Sequence, residues 1–211
     1  MNSIRKRKTK DPCPGCSLHK ERCICAYIPS LNLKTKITLV VHAKELKRTT
    51  NTGTLALKGL INSEIIVRGK DQIAVDLSHL ITPSYRTYLF YPAQNALELN
   101  QELVRLDERP IQLIVPDGNW RQASKVHIRH PELSLIPRVM ISTPNLATHH
   151  LRAENTEYGM STIEAIARAL GIIEGEEIGN QLTLLYQKKL TQTLAGRGEL
   201  LQATPTKGGH P

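Results

Sequence analysis

Five short β-rich runs interleaved with stretches of helical spacing constrain this chain more than any other feature. They are KITLVVHA (36–43), EIIVR (64–68), TYLFYPA (87–93), IQLIVPD (111–117) and RVMIS (138–142). Between them lie GTLALKGLIN, NALELNQELVRL and NWRQASKVHIR, with apolar residues near helical spacing. In the first of these, Leu57, Leu60 and Ile61 share a predicted face. Strands separated by helices return by crossovers rather than hairpins. The pattern therefore predicts an α/β domain with a mostly parallel sheet flanked by helices. Two helices are expected to close the chain. STIEAIARALGII aligns Ile163, Ile166, Ala167 and Leu170, and a second helix over roughly 179–195 aligns Leu182, Leu185, Tyr186 and Leu190. With 211 residues, 40% of them hydrophobic, the chain is long enough to bury one core.

All four cysteines fall within 13 residues, as Cys13-Pro-Gly-Cys16 and Cys23-Ile-Cys25. In a reducing compartment clustered thiols are metal ligands more often than disulfides, and four thiolates complete a tetrahedral zinc shell. Pro14-Gly15 suits the turn of a Cys-x-x-Cys knuckle. The Cys-x-Cys pair departs from the usual spacing, and His19 is a candidate substitute for one thiol. Four protein ligands leave no open coordination position, so a metal here is expected to be structural Zn2+; a disulfide or redox pair and unligated thiols are the alternatives. The expected partition is a disordered basic arm at 1–10, a zinc knuckle at 11–30, the α/β domain at 31–196 and a disordered tail at 197–211.

The net charge of +9 is unevenly placed. Residues 1–70 hold 15 Lys and Arg against 4 Asp and Glu, while the remainder holds 13 against 15. An N-terminal third this basic predicts contact with a polyanion such as nucleic acid, the alternative being a solvated face that aids solubility. No apolar run reaches 18 residues, so no membrane span is expected. MNSIRKRKTK is followed by no apolar segment of the secretory kind, and a cytoplasmic location is the expectation.

Ligands of parallel sheets bind beyond the carboxyl ends of the strands. Three polar loops lie there: His42 to Gly53 (HAKELKRTTNTG), Tyr91-Pro-Ala-Gln-Asn95, and Asp117-Gly-Asn-Trp120. His42, Glu45 and Arg48 recur every third residue and would share one side of a helical turn. Asn51, Thr52 and Gly53 offer a cap and a turn before a helix whose free N–H groups favour an anion. Asp117 leaves an apolar strand, where partial desolvation raises a carboxyl's proton affinity and suits it to general-base work. Trp120, the only tryptophan, presents a π-face suited to a nucleobase. The structural alternatives are that Asp117 or Asn119 caps the helix and Trp120 packs in the core. Ser161-Thr-Ile-Glu164 reads first as a capping box, and Arg152 in the preceding polar loop is a candidate carboxylate clamp. No phosphate loop, dinucleotide fingerprint or nucleophile elbow occurs. Phosphate-loop and dehydrogenase chemistry are thereby unsupported, and covalent catalysis lacks a candidate.

The four-Cys knuckle, HAKELKRTTNTG, FYP, PDGNWRQA and STIEA, in that order, resemble the DTW-domain family over about residues 13–195. The resemblance implies a SPOUT-like fold with a C-terminal trefoil knot. It also implies a tRNA-uridine aminocarboxypropyltransferase, which moves the 3-amino-3-carboxypropyl group of S-adenosylmethionine to uridine N3 and releases 5′-methylthioadenosine. Asp117 and Trp120 match the residues that name the family. His42, Glu45, Arg48, Asn51, Thr52 and Gly53 match its first loop, Tyr91 and Pro92 its second, and Ser161, Thr162 and Glu164 its last. Asn119 stands where the family name records Thr, a change that keeps a short hydrogen-bonding side chain. In that reading Asp117 takes the N3 proton, Arg48 or Arg152 holds the cofactor's α-carboxylate, and tRNA is the partner. A non-enzymatic zinc-containing RNA-binding protein and an S-adenosylmethionine-dependent RNA methyltransferase are the competing expectations.

Overall fold

The computed structural model describes residues 9–46, 48–70, 74–118, 120–144, 151 and 160–198, without the side chains of Trp120 and Arg121. Six strands form a single parallel sheet: β1 (Lys36–His42), β2 (Ser63–Arg68), β3 (Arg86–Phe90), β4 (Leu97–Glu98), β5 (Ile111–Asp117) and β6 (Arg138–Met140). Their order across the sheet is β2-β1-β5-β3-β6-β4. The helices are α1 (Ala43–Leu46), α2 (Gly53–Leu57), α3 (Gln101–Arg105), α4 (Trp120–Ala123), α5 (Val126–Arg129), α6 (Thr162–Ile173) and α7 (Glu176–Arg197). The central strands β1 and β5 are almost continuously buried, as apolar runs covered on both faces must be.

Alternation along the strands divides the core in two. Ile37, Leu39 and Val41 of β1 and Ile111, Leu113 and Val115 of β5 enter one apolar cluster with α2, α6 and α7. Val40, Leu89 and Ile114 point the other way and pack with Val126, Leu133 and Ile136. On α6, Ile163, Ile166, Ala167 and Leu170 are all buried, as the stripe predicts, and on α7 so are Leu182, Leu185 and Tyr186. The α6 and α7 pair is tied to the sheet from below, where the backbone N–H and hydroxyl of Thr35, just before β1, both donate to Glu174.

Three helical expectations change. Residues 97–98, read as part of a helix, form the edge strand β4, because Leu97 and Glu98 register with Val139 and Met140 and the Leu99 N–H continues the pairing to the Met140 carbonyl. The helix begins only after Asn100, whose side chain caps it. GTLALKGLIN is helical only to Leu57, since Leu31 then exchanges backbone hydrogen bonds with Gly59 and Ile61. Leu60 is consequently buried and Ile61 63% exposed, so the predicted shared face is split. NWRQASKVHIR makes two short helices, α4 and α5, separated by a turn at Ser124 and Lys125. The expected knot depends on a chain path that includes 145–150 and 152–159, which lie outside the described residues, as do 1–8 and 199–211. Among the described residues no helix is long and apolar enough to cross a membrane.

Candidate active site

Asp117 ends β5 in register with Val41 of β1, which places its carboxylate on the α6 and α7 face of the sheet. The residue is 6% exposed. Two side chains from distant parts of the chain hold its two oxygens: the Asn51 amide donates to Oδ2 at 2.7 Å, and the Thr162 hydroxyl donates to Oδ1 at 2.6 Å. Hydrogen bonds to an ionised acceptor are among the stronger ones available, and here they tie the β1 loop, β5 and the start of α6 at one point.

Each donor is itself fixed. The Asn51 carbonyl accepts the N–H and the hydroxyl of Thr54 at 2.9 and 3.0 Å, so one amide caps the first turn of α2 and grips Asp117. Thr52 accepts the N–H of Ile163 at 3.4 Å. Ser161 and Glu164 form the expected capping box at the start of α6, with the Ser161 N–H donating to Glu164 at 2.8 Å. Gly53 lies against Leu39 and Thr162, and a Cβ there would come within 3.0–3.1 Å of both side chains, so glycine permits the approach of α2 to α6. The α2 helix has five residues, and the Asn51 carbonyl occupies its Thr54 N–H.

In the same loop, Glu45 is buried on α1 and pairs with Arg48 at 3.1 Å, as their spacing predicts. The Arg48 side chain is 40% exposed, so the pair anchors a guanidinium that still reaches solvent. His42 does not join that turn. It ends β1 on the opposite sheet face from Asp117, in register with Arg68. Its Nδ1 accepts the Lys44 N–H at 3.2 Å, and its ring lies over the backbone of Gly69. Burial, then the charges of Arg68 and Lys44, push the His42 pKa below its ordinary value.

Tyr91 also lies away from Asp117. It packs against the second apolar cluster, its phenol pKa is raised by burial, and Ser124 is its hydrogen-bonding neighbour. Pro92 is exposed. The first and third of the predicted loops therefore meet at Asp117, while the second stands on the other side of the sheet. Trp120 opens α4 immediately beyond the Asp117 turn. Asn119 and Arg152 lie outside the described residues.

The cysteine sulfurs of Cys13, Cys16, Cys23 and Cys25 all lie within 4.8 Å of one another. Individual separations of 3.5, 3.6 and 3.9 Å agree with the roughly 3.8 Å expected between ligands of a tetrahedral zinc–thiolate centre. Gly15 is required by the close approach of the Cys25 sulfur. The donor set and its spacing thus fit a closed zinc shell. Sequence reasoning missed Lys189, which sits on the apolar stripe of α7, is 2% exposed, and donates to the Cys16 carbonyl at 2.9 Å. It also missed Arg68, a 4% exposed guanidinium that donates to the Gln122 carbonyl. A long cation inside an apolar or β-rich pattern carries no signal of its own, since most such side chains reach out to water.

Comparison with known proteins places these residues in context. The family model described as DTW domain matches residues 10–194. The mouse protein named tRNA-uridine aminocarboxypropyltransferase 2 is 25% identical over 177 residues, covering 81% of this chain and 59% of that protein. The Drosophila melanogaster protein of the same name is 26% identical over 172 residues, 78% of this chain and 67% of its own. The Macaca fascicularis protein is 24% identical over 177 residues, with coverages of 81% and 59%. The chain thus spans about three fifths of the mouse and macaque proteins it matches.

Proposed function

The chain belongs to the DTW-domain family, and from that premise we propose that it is a tRNA-uridine aminocarboxypropyltransferase. The reading is that it transfers the 3-amino-3-carboxypropyl group of S-adenosylmethionine to N3 of a uridine in tRNA. The observation that carries the proposal is the junction at Asp117. Three motifs spread over more than a hundred residues supply its acceptor and its two donors, at the strand ends where a parallel sheet binds ligands.

In the transfer, N3 forms a bond to the carbon next to the sulfonium, that carbon's bond to sulfur breaks, and 5′-methylthioadenosine leaves with the electron pair. The N3 proton must pass to a base. Asp117, the carboxyl group at the end of β5, is assigned that role. The sulfonium is already a good leaving group, and alignment of two bound substrates is the main demand on the protein. Selecting the γ-carbon over the methyl requires the amino-acid portion to be held folded. Arg48, fixed by Glu45, or Arg152 is assigned to its α-carboxylate, and Trp120 and Asn119 are assigned to substrate binding. His42, Thr52, Gly53, Tyr91, Pro92, Ser161, Thr162 and Glu164 shape or support the loops.

The four cysteines are assigned to a structural zinc ion, and the basic N-terminal segment to the tRNA backbone. Incubating the purified protein with bulk tRNA and S-adenosylmethionine tests the whole reading. Methylthioadenosine and a 3-amino-3-carboxypropyl uridine are expected. S-adenosylhomocysteine would instead identify a methyltransferase, and neither product a binding protein.

A further inference from the structure

Arg68 presents a charge problem that its own surroundings do not solve. It ends β2 on the face occupied by α4 and α5 and is 4% exposed. Its Nη2 donates to the Gln122 carbonyl, but its buried Nε–H has no acceptor. Among the described residues no carboxylate is recorded as acting on it. The charge that bears most on it is the like charge of Arg129, which together with burial depresses its pKa. A buried guanidinium without a counter-ion is costly, because an arginine does not shed its proton and a lone donor loses its water without replacement.

The neighbours add to the imbalance. His42, its partner in register, feels the positive charges of Arg68, Lys44 and Arg129 together. Among the described residues Glu45 is the acid recorded as acting on His42, and it is already engaged by Arg48. Lys44 and Arg129 are exposed. Two exposed cations thus share the surroundings of His42 with a buried third, at the carboxyl ends of two parallel strands, and the buried one has a donor left over. A lone carboxylate would neutralise one of them. A strand of phosphodiesters offers repeated negative charge and several acceptor oxygens, which matches a cluster that has both exposed and buried members.

Given the tRNA reading above, on which this inference rests, we propose that the end of β2 holds a phosphate group of the RNA substrate. Lys44 and Arg129 are its surface contacts, and Arg68 is the buried charge behind them. The opposite face of the sheet edge, around Asp117, is then left for the reacting groups.

The test measures tRNA affinity against salt concentration for the full chain, the Lys44→Ala/Arg129→Ala double variant and Arg68→Met. Two lost phosphate contacts should lower the slope of log affinity against log salt by one to two units, at about 0.7–0.9 per contact. Arg68→Met should weaken tRNA binding about tenfold while S-adenosylmethionine affinity stays the same. The double variant changes only exposed side chains, so it reports even where Arg68→Met is too unstable to purify. Unchanged tRNA affinity and slope in the double variant would overturn the proposal. Loss of S-adenosylmethionine affinity with tRNA binding intact would also overturn it, by assigning the cluster to the donor's carboxylate. A wild-type chain that forms methylthioadenosine while the variants bind tRNA normally would sink this inference alone. A wild-type chain that neither binds tRNA nor makes that product would remove the reading beneath it.

Discussion

The two faces of the sheet edge treat charge in opposite ways. On the α6 and α7 face, Asp117 is a buried anion whose oxygens are each held by a donor that is itself fixed by a helix start. On the α4 and α5 face, Arg68 is a buried cation with one carbonyl partner, an unpaired Nε–H and other cations for company. A fully satisfied polar network rigidifies the elements it joins, whereas a half-satisfied one carries the cost of its unmade hydrogen bonds. The contrast separates a finished joint from a site that is complete only with a ligand.

The largest expected effect that would break this comparison is at the joint. Asp117→Ala strands the Asn51 amide and the Thr162 hydroxyl, so it should cost about 4 kcal/mol in denaturant unfolding and abolish product formation. A loss under about 1 kcal/mol would mean that the junction does not hold the loops together.

A smaller effect is expected where the same face meets the cysteine cluster. Cys16, Leu18 and Ile24 pack into the core that contains α7, and Lys189 closes over Cys16. Cys25→Ser should lose bound zinc by elemental analysis and lower the melting temperature by about 10 °C, corresponding to about 3 kcal/mol. Retention of a full equivalent of zinc would show that Cys25 is not a ligand.

The smallest effect belongs to the cationic face. Folding holds the His42 pKa below the unfolded value of about 6.5, because burial and the adjacent charges oppose protonation. The neutral ring's share of stability is therefore complete above about pH 6.5 and is lost as the pH falls through that value toward the lower folded one. His42→Asn should reduce the fall in melting temperature between pH 7.5 and pH 5 by a few degrees. An identical fall in both proteins would show that the cationic neighbours do not act on this ring.

Much of this arrangement is legible along the chain. Apolar runs of five to seven residues, with helical spacing between them, suffice for a parallel sheet, because strands buried on both faces need no alternation. The capping box at Ser161 and the Glu45 and Arg48 spacing are local, so sequence distance alone predicts them. The cysteine cluster is local too. By contrast β4, two residues long, depends on β6 being beside it, and the early end of α2 depends on Leu31 arriving from outside the helix.

The sequence by itself determined the strand–helix alternation, the positions of the polar loops and the family to which these motifs belong, because each rests on periodicity or on short spacing. Tertiary structure decided which loops meet. Strand order β2-β1-β5 and the two-residue alternation of side chains put Asp117 with Asn51 and Thr162 on one face, and His42 with Arg68 on the other. The face a strand residue takes is set by its register with neighbours dozens of residues away. That is why the carboxylate's donors, and the unpaired guanidinium across the sheet, emerge only once the sheet is assembled.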